Sequence, residues 1–203
     1  GVDFATLSAH VAETGKVVDC PGTEAMDADE LEQQATAWGT ELKRAGVNVN
    51  LAPTTDTVPS EIGRANGPIG QHRREYGATP AATAKGAVAF AQGMHAAGVM
   101  PTTKHFPGIG RIPGNTDSTD EGITDSTATT KDPHLSPFDA VISASPTIVM
   151  IGNARYPKLD ADNQAPFSQK IITNLLREQM GFDGVVITDD VGVAKAVADV
   201  PVG

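Results

Sequence analysis

The sequence lacks the marks of several large protein classes. Its single cysteine, Cys20, cannot form an internal disulfide, which excludes a disulfide-stapled scaffold. No apolar run approaches the roughly 20 residues that a membrane-spanning helix needs. Lysine and arginine number 15 against 25 acidic residues, and the resulting net charge of −10 repels phosphate backbones and anionic lipid. We therefore expect neither nucleic acid nor a membrane surface as a partner.

The length and the ends of the chain bear on its domain organisation. A chain of 203 residues is long enough to bury a substantial core, and we expect one domain over residues 1–203. Both ends read like the interior of a protein, which predicts truncation on either side. The N-terminus has no basic segment leading into an apolar stretch. We expect the full-length form to be extracytoplasmic, secreted or lipid-anchored, rather than cytoplasmic.

Four short β-branched runs alternate with four helical patterns. The predicted strands span residues 47–51, 99–105, 147–152 and 184–188. The predicted helices span residues 27–45, 79–97, 133–144 and 168–180. Asp27 and Glu30 have capping-box spacing at the start of the first helix, and Thr79 with Pro80 begins the second. Strands that are apolar on both faces and joined by helices predict a parallel α/β sheet.

A parallel sheet of this kind belongs either to a β/α barrel or to an open doubly wound fold. In both, polar residues at the carboxyl ends of the strands build the site. The sequence places such residues after each predicted strand: Asp56, Lys104 with His105, Asn153 with Arg155, and Asp189 with Asp190. Four β/α units are half of a barrel and expose two sheet edges. We expect further chain, or a second copy, to cover them.

The least common stretch is KHFPGIGR at residues 104–111, followed by GNTDST at residues 114–119. A strand that ends in Lys104 and His105 and passes into a glycine-rich loop presents donors to a cleft and allows close backbone approach. This arrangement suits a hydroxyl-rich ligand. The alternative is a surface lysine beside a hydrogen-bonded core histidine. The glycine spacing does not match a dinucleotide fingerprint.

A second candidate site is the buried strand GVVITDD at residues 184–190, which delivers two adjacent carboxylates to its end. Because successive side chains on a strand point to opposite faces, one of Asp189 and Asp190 is expected to face the cleft and the other to be structural. The facing carboxylate could be a nucleophile, a metal ligand or a helix cap. Arg74 offers a planar fork of donors, although a loop arginine is often simply solvated. Scattered histidines predict no metal site.

Together these segments resemble family 3 glycoside hydrolases in their β-N-acetylglucosaminidase branch. The stretch KHFPGIG resembles the branch signature, and AGVNVNLAP at residues 45–53 with Asp56 resembles a second family segment. Residues 74–77 and the LR…GFDG…TDD block over residues 176–190 match two more. The loop chemistry is similar to an actinobacterial-type subgroup.

The resemblance implies a (β/α)8 barrel, of which this chain holds part. It also implies retaining hydrolysis of terminal β-linked N-acetylglucosamine from cell-wall-derived glycans, without metal or cofactor. In the family the first aspartate of TDD is the nucleophile, which here is Asp189. The sugar-binding positions fall on Asp56, Arg74, Lys104 and His105.

One departure affects the proton donor. Many members of the branch carry it as the histidine of an Asp-Ser-His loop, and this chain reads Asp117-Ser118-Thr119. A threonine hydroxyl scarcely ionises near neutral pH, so Asp117 becomes the expected acid/base, with Asp120 behind it. Three alternatives follow: a family 3 β-glucosidase or β-xylosidase, an inactive sugar-binding remnant, and an unrelated barrel that holds a divalent cation.

Overall fold

The computed structural model describes residues 27–200, so Cys20 and both chain ends lie outside the described residues. The described part alternates strands and helices along its whole length. The strands are β1 (Val49–Asn50), β2 (Met100–Phe106), β3 (Ile148–Ile151) and β4 (Val186–Thr188). The main helices are α1 (Ala28–Arg44), α2 (Pro80–Ala96), α3 (Ser136–Ala144) and α4 (Lys170–Gln179). All four predicted strands and all four predicted helices are confirmed in existence, with β1, β3 and β4 shorter than predicted and β2 shifted by one residue.

The four strands form one parallel sheet whose order follows the chain, β1-β2-β3-β4. A doubly wound fold reverses its strand order at a switch point, and the described strands contain no such reversal. Sequential neighbours that all run in one direction are the arrangement of consecutive units in a β/α barrel. The fold is therefore of the barrel type, with half of the eight strands described.

The first two helices follow their sequence signals closely. The Thr79 side chain accepts a hydrogen bond from the Ala82 amide, which caps α2. Asp27 occupies the cap position of α1 without a side-chain cap bond, so the predicted capping box is wrong. The alanine-rich α2 packs tightly on α1, because a Cβ added to Gly93 would lie 2.4 Å from the Glu32 carbonyl oxygen. Only glycine permits this approach.

The fourth helix differs in type from its prediction. Ten residues, Lys170–Gln179, adopt π-helical geometry, and the Met180 amide donates to the Leu175 carbonyl five residues back. Arg177 then stacks over the Phe182 ring at 5.2 Å and donates to the carbonyl oxygens of Phe182 and Gly184. These contacts fix the chain between α4 and β4, the strand that ends at Thr188.

The largest core cluster lies beneath the loops that follow the strands. Phe106 and Phe138 meet edge to face with ring centroids 5.4 Å apart, which joins β2 to α3. Tyr156 is fully buried, and its hydroxyl donates to the Gly108 carbonyl at 2.9 Å. The core therefore supports the glycine-rich loop from below and limits its freedom.

An open cavity of about 810 Å³ lies at the opposite, amino-terminal ends of the strands. Val49, Met100 and Val185 are among the residues that line it, and Val49 and Val185 are 43% and 59% exposed. This cavity lies away from the polar strand ends and forms no part of the candidate site. Within residues 27–200, no helix has the length and apolar character to span a membrane.

Candidate active site

The carboxyl ends of the four strands bring the predicted site residues together. Asp56 follows β1, and Lys104 and His105 lie within β2. Asn153 follows β3, and Asp189 follows β4. Because the strands are parallel and neighbouring, these ends meet at one edge of the sheet. Residues far apart in the sequence thus form one polar cluster.

Asp56, His105 and Asp189 lie in a line across this cluster. Oδ2 of Asp56 is 2.7 Å from Nδ1 of His105, and Nε2 of His105 is 3.8 Å from Oδ2 of Asp189. The first contact is a hydrogen bond, whereas the second is too long for one. An ionised carboxylate only accepts hydrogen bonds, so Asp56 directs the imidazole Nδ1–H toward itself. The other ring nitrogen then faces Asp189.

Asp56 follows β1, as its sequence position predicts, but its side chain is fully enclosed by the protein. Its side chain has no exposed surface, and besides His105 it accepts hydrogen bonds from the His105 and Ile109 amides, at 3.2 and 2.8 Å. A carboxylate enclosed in this way cannot touch a sugar. The expected direct contact with substrate is therefore corrected to an indirect role, in which Asp56 supports His105 and the start of the glycine-rich loop.

Lys104 is partly buried among charged groups. Burial lowers the pKa of its ammonium below the ordinary value, and the positive charge of Arg74 acts in the same direction. The carboxylates of Asp189, Asp56 and Asp117 oppose this shift by raising the pKa. The charges of these four side chains therefore act on the Lys104 ammonium.

Arg74 is held rather than freely solvated. One of its guanidinium nitrogens donates to the Pro68 carbonyl at 3.0 Å, and the side chain is partly buried. The preceding residue, Arg73, adopts a left-handed conformation with φ of 52°, which turns the chain at this point. The loop after β1 therefore fixes one guanidinium nitrogen at Pro68, and the positive charge of Arg74 acts on Lys104.

The adjacent carboxylates of Asp189 and Asp190 point to different surroundings, as the alternation of side chains along a strand predicts. Asp189 continues the sheet through its amide, which donates to the Ile151 carbonyl at 2.8 Å. Asp190 is exposed, and its Oδ1 accepts from the amides of Gly192 and Val193 at 2.7 and 3.0 Å. Asp190 thus stabilises a turn, while Asp189 faces His105.

Asp117 lies on an exposed loop, residues 115–120, which we term the Asp117 loop. Two backbone hydrogen bonds hold its near end against the segment after β4: Lys195 donates to the Asp117 carbonyl at 3.3 Å and Ala196 to the Thr116 carbonyl at 3.1 Å. Thr116 is buried, whereas the Asp117 side chain stays exposed. Asp120 is exposed on the same loop.

Two supporting groups have no signal in the sequence. Arg111 pairs with Asp125 at 2.7 Å and with Asp132, and so ties the glycine-rich loop to the segment before α3. Gln164 is buried and donates to two backbone carbonyls on different segments. The partners of Arg111 and of Gln164 stand at no regular spacing in the sequence, because only the tertiary structure brings them together. Arg111 stands out in the sequence merely as the last residue of the signature.

Comparison with known proteins bears on the family. A family model described as "Glycosyl hydrolase family 3 N terminal domain" matches residues 22–200. The chain belongs to glycosyl hydrolase family 3. It is 38% identical over 160 residues to the beta-hexosaminidase of Xylella fastidiosa strain M23, covering 78% of this chain and 45% of that protein. Against the beta-hexosaminidase of Stenotrophomonas maltophilia strain R551-3, identity is 34% over 165 residues, covering 81% and 47%.

A solved family 3 relative shares the fold. The beta-N-acetylhexosaminidase from Beutenbergia cavernae DSM 12333 superimposes with a TM-score of 0.83 at 46% identity, covering 86% of this chain and 52% of that one. The expected α/β fold, part of a (β/α)8 barrel, is confirmed by these matches. The chain spans about half the length of the relatives it matches.

The family 3 site contains no recognisable metal centre in the described region. Within residues 27–200, no group of three or more histidine, cysteine, aspartate or glutamate side chains has the arrangement to hold a metal ion. Asp190 is engaged by backbone amides of its own turn, which leaves its Oδ1 to stabilise that turn. The arrangement of donors and carboxylates around Lys104 suits a neutral, hydroxyl-rich ligand.

Proposed function

We propose that the natural protein containing this chain hydrolyses terminal β-linked N-acetylglucosamine from cell-wall-derived glycans, with retention of configuration. One observation carries the proposal: at the carboxyl ends of the strands, Oδ2 of Asp189 lies 3.8 Å from Nε2 of His105, which is next to Lys104 in the chain. A carboxylate beside hydrogen-bond donors suits the nucleophile of retaining hydrolysis, which also needs a second carboxyl group as proton donor. Relatives described as beta-hexosaminidases support the choice of sugar.

Asp189 is proposed as the nucleophile. Its carboxylate attacks the anomeric carbon, a carbon–oxygen bond to Asp189 forms, and the bond to the leaving group breaks. Asp117 gives its proton to the departing oxygen. In the second step Asp117 takes a proton from water, whose oxygen bonds to the anomeric carbon and releases Asp189 as a carboxylate. Each step inverts the configuration at the anomeric carbon, so the two steps together retain it.

Arg74, Lys104 and His105 are proposed to hold the sugar. The ammonium of Lys104 and the guanidinium of Arg74 only donate hydrogen bonds, which suits hydroxyl and acetamido oxygens. His105 Nε2 faces Asp189 and can accept a hydrogen bond from a hydroxyl group. Asp56 acts through His105, because it fixes the orientation of the ring from beneath.

Asp117 is the proposed acid/base because its charge acts on Lys104 and because Thr119 cannot supply a proton. Asp120, three residues on, is the weaker candidate. A sugar-binding protein without turnover is the second function, and Thr119 in the histidine position is the observation that favours it.

We also propose that the exposed edges of the sheet are covered in the natural protein, by further chain or by a second copy. Val49 lies in β1 and Val185 directly precedes β4, and these are the two outer strands of the described sheet. Both residues line the cavity and expose about half of their surface. Sedimentation of the longest natural form distinguishes the two, since only a second copy doubles the mass.

The proposal is tested with two isosteric variants of neighbouring residues, Asp189→Asn and Asp190→Asn, in the longest natural form of the protein. Chromogenic β-N-acetylglucosaminide and the matching β-glucoside serve as substrates. We expect release from the first substrate alone and a loss of about 10³-fold or more in Asp189→Asn. Asp190→Asn keeps an oxygen for the Gly192 and Val193 amides, so it is expected to retain activity.

Other outcomes decide between the remaining functions. Release from the β-glucoside at a comparable rate indicates a β-glucosidase-type specificity. No release from either substrate, with N-acetylglucosamine still raising the melting temperature, indicates a sugar-binding protein.

A further inference from the structure

The loop that carries the proposed proton donor and the segment that carries the proposed nucleophile meet at one buried side chain. Gln164 is 4% exposed and lies in the connection between β3 and α4. Its Nε2 donates to the Ala196 carbonyl at 2.7 Å and to the Asn153 carbonyl at 3.2 Å. A glutamine amide has two N–H donors on this nitrogen, so both are used.

Each of these two bonds leads to one of the proposed carboxylates. Asn153 is fully buried, and its Nδ2 donates to the Asp190 carbonyl at 2.6 Å, next to Asp189. Ala196 donates through its amide to the Thr116 carbonyl at 3.1 Å, next to Asp117. Gln164 therefore connects the nucleophile strand with the Asp117 loop by a continuous path of hydrogen bonds through buried groups.

The separation between the two carboxyl groups determines what such a site can do. Retaining hydrolysis works with carboxyl groups about 5 to 5.5 Å apart, and a wider gap prevents the second group from reaching the leaving oxygen. The Asp117 side chain is exposed and has no ion pair of its own among the described contacts. Its position accordingly depends on how the loop is held at Thr116.

We propose that Gln164 is a positioning residue that holds the Asp117 loop at a fixed distance from Asp189 and so enables proton transfer to the leaving group. This inference rests on the proposed function, since it takes Asp117 as the acid/base. Gln164 touches no substrate. It acts through Ala196 on one side and Asn153 on the other.

The test compares substrates that differ in their need for a proton donor. An N-acetylglucosaminide with a dinitrophenyl leaving group departs with little protonation, whereas the N-acetylglucosamine disaccharide requires it. The measured quantity is the ratio of kcat/KM for the activated substrate to kcat/KM for the disaccharide. Gln164→Met removes both donors at similar size, and we expect it to raise this ratio about 10-fold or more.

Two further variants keep the test interpretable. Gln164→Glu preserves the shape of the side chain and can still donate when protonated, so its ratio is expected to move toward the wild-type value as the pH falls. Ser168→Ala is the matched control, because Ser168 is equally buried but donates to Asp160, away from the loop. It is expected to lower the melting temperature without changing the ratio.

The inference is overturned if folded Gln164→Met keeps the wild-type ratio, if folded Gln164→Glu keeps it at neutral pH, or if Ser168→Ala raises the ratio as much. Failure of the proposed function looks different, because wild-type protein then releases neither leaving group, or Asp189→Asn remains active. An unchanged ratio in the Gln164 variants, beside a raised ratio in Asp117→Asn, rejects the role of Gln164 alone.

Discussion

Oδ2 of Asp56 accepts a hydrogen bond of 2.7 Å from Nδ1 of His105, in a place from which solvent is excluded. A carboxylate buried without a partner is costly, and here the imidazole and two backbone amides satisfy it. The contact selects one tautomer of the ring. His105 therefore presents an unprotonated Nε2 to the cleft whenever the imidazole is neutral.

Asp56→Asn tests this arrangement. The new amide can turn an N–H toward His105, which favours the opposite tautomer and leaves Nε2 protonated. We expect kcat/KM for the N-acetylglucosaminide to fall by about 10- to 100-fold. Thermal unfolding monitored by circular dichroism shows how much of the loss arises from stability. Full activity in a folded Asp56→Asn variant would contradict the supporting role.

Gly152→Ala tests how closely β3 approaches the site. A Cβ at position 152 would lie 2.9 Å from Cβ of His105 and 3.2 Å from Cγ2 of Ile109. The added methyl group must displace His105 or Ile109, so we expect a loss of about 1 to 3 kcal/mol in the free energy of unfolding and lower kcat/KM. Urea denaturation and steady-state kinetics measure the two effects. Gly181→Ala is the control for backbone strain. Gly181 has a φ of +71° and no atom within 4 Å of an added Cβ, so this substitution strains the backbone without a steric clash.

Asp117→Asn tests the identity of the acid/base. Removing the proton donor is expected to lower kcat/KM for the disaccharide by about 10²- to 10⁴-fold, with a much smaller effect on the dinitrophenyl glycoside. The same substitution three residues on, Asp120→Asn, is the control and should behave like the wild type. If Asp120→Asn carries the large effect instead, the assignment moves to that residue.

Arg111→Gln tests the ion-pair network beneath the glycine-rich loop. Burial acts to raise the pKa of Asp132, but hydrogen bonds from Arg111 and from the His134 amide outweigh it and lower the pKa to about 2. A pKa below the unfolded value means stability that is present above about pH 4 and is lost as the pH falls toward 2. We expect Arg111→Gln to cost about 3 kcal/mol at pH 7, with the difference from wild type shrinking as the pH falls toward 2.

Melting temperatures of both proteins between pH 2 and 7 check this prediction. A gap that stays constant across the range would mean that Arg111 stabilises the loop by packing alone.

Much of the fold can be predicted from the sequence because its signals are local. Thr79 with Pro80 marks the start of α2, and short β-branched runs mark the strands. The π geometry of α4 cannot be predicted in this way, since apolar spacing alone does not distinguish five-residue from four-residue hydrogen bonding. Contacts made after the helix ends, such as Arg177 with Phe182, belong to tertiary structure.

The candidate site also contains residues that local sequence signals locate and residues whose role depends on tertiary contacts. Lys104, His105 and Asp189 can be located from the sequence, because strands deliver them to one edge of the sheet. The burial of Asp56 cannot, since it depends on how the glycine-rich loop folds back over it. The bond from Gln164 to the Ala196 carbonyl joins positions 32 residues apart through a backbone atom, which leaves no pattern in side-chain identity.

The pairing of β3 with β4 places Ile151 opposite Thr188, and the Asp189 amide donates to Ile151. A slip of β4 by one residue along β3 would turn Asp190 toward His105 and move Asp189 into the turn. Asp189 and Asp190 are chemically identical, so the register of β4 on β3 determines which of them faces His105 and which stabilises the turn. Val149 and Val186, paired at the start of the β3–β4 ladder, help to decide which aspartate faces His105, although neither lies among the polar residues of the site.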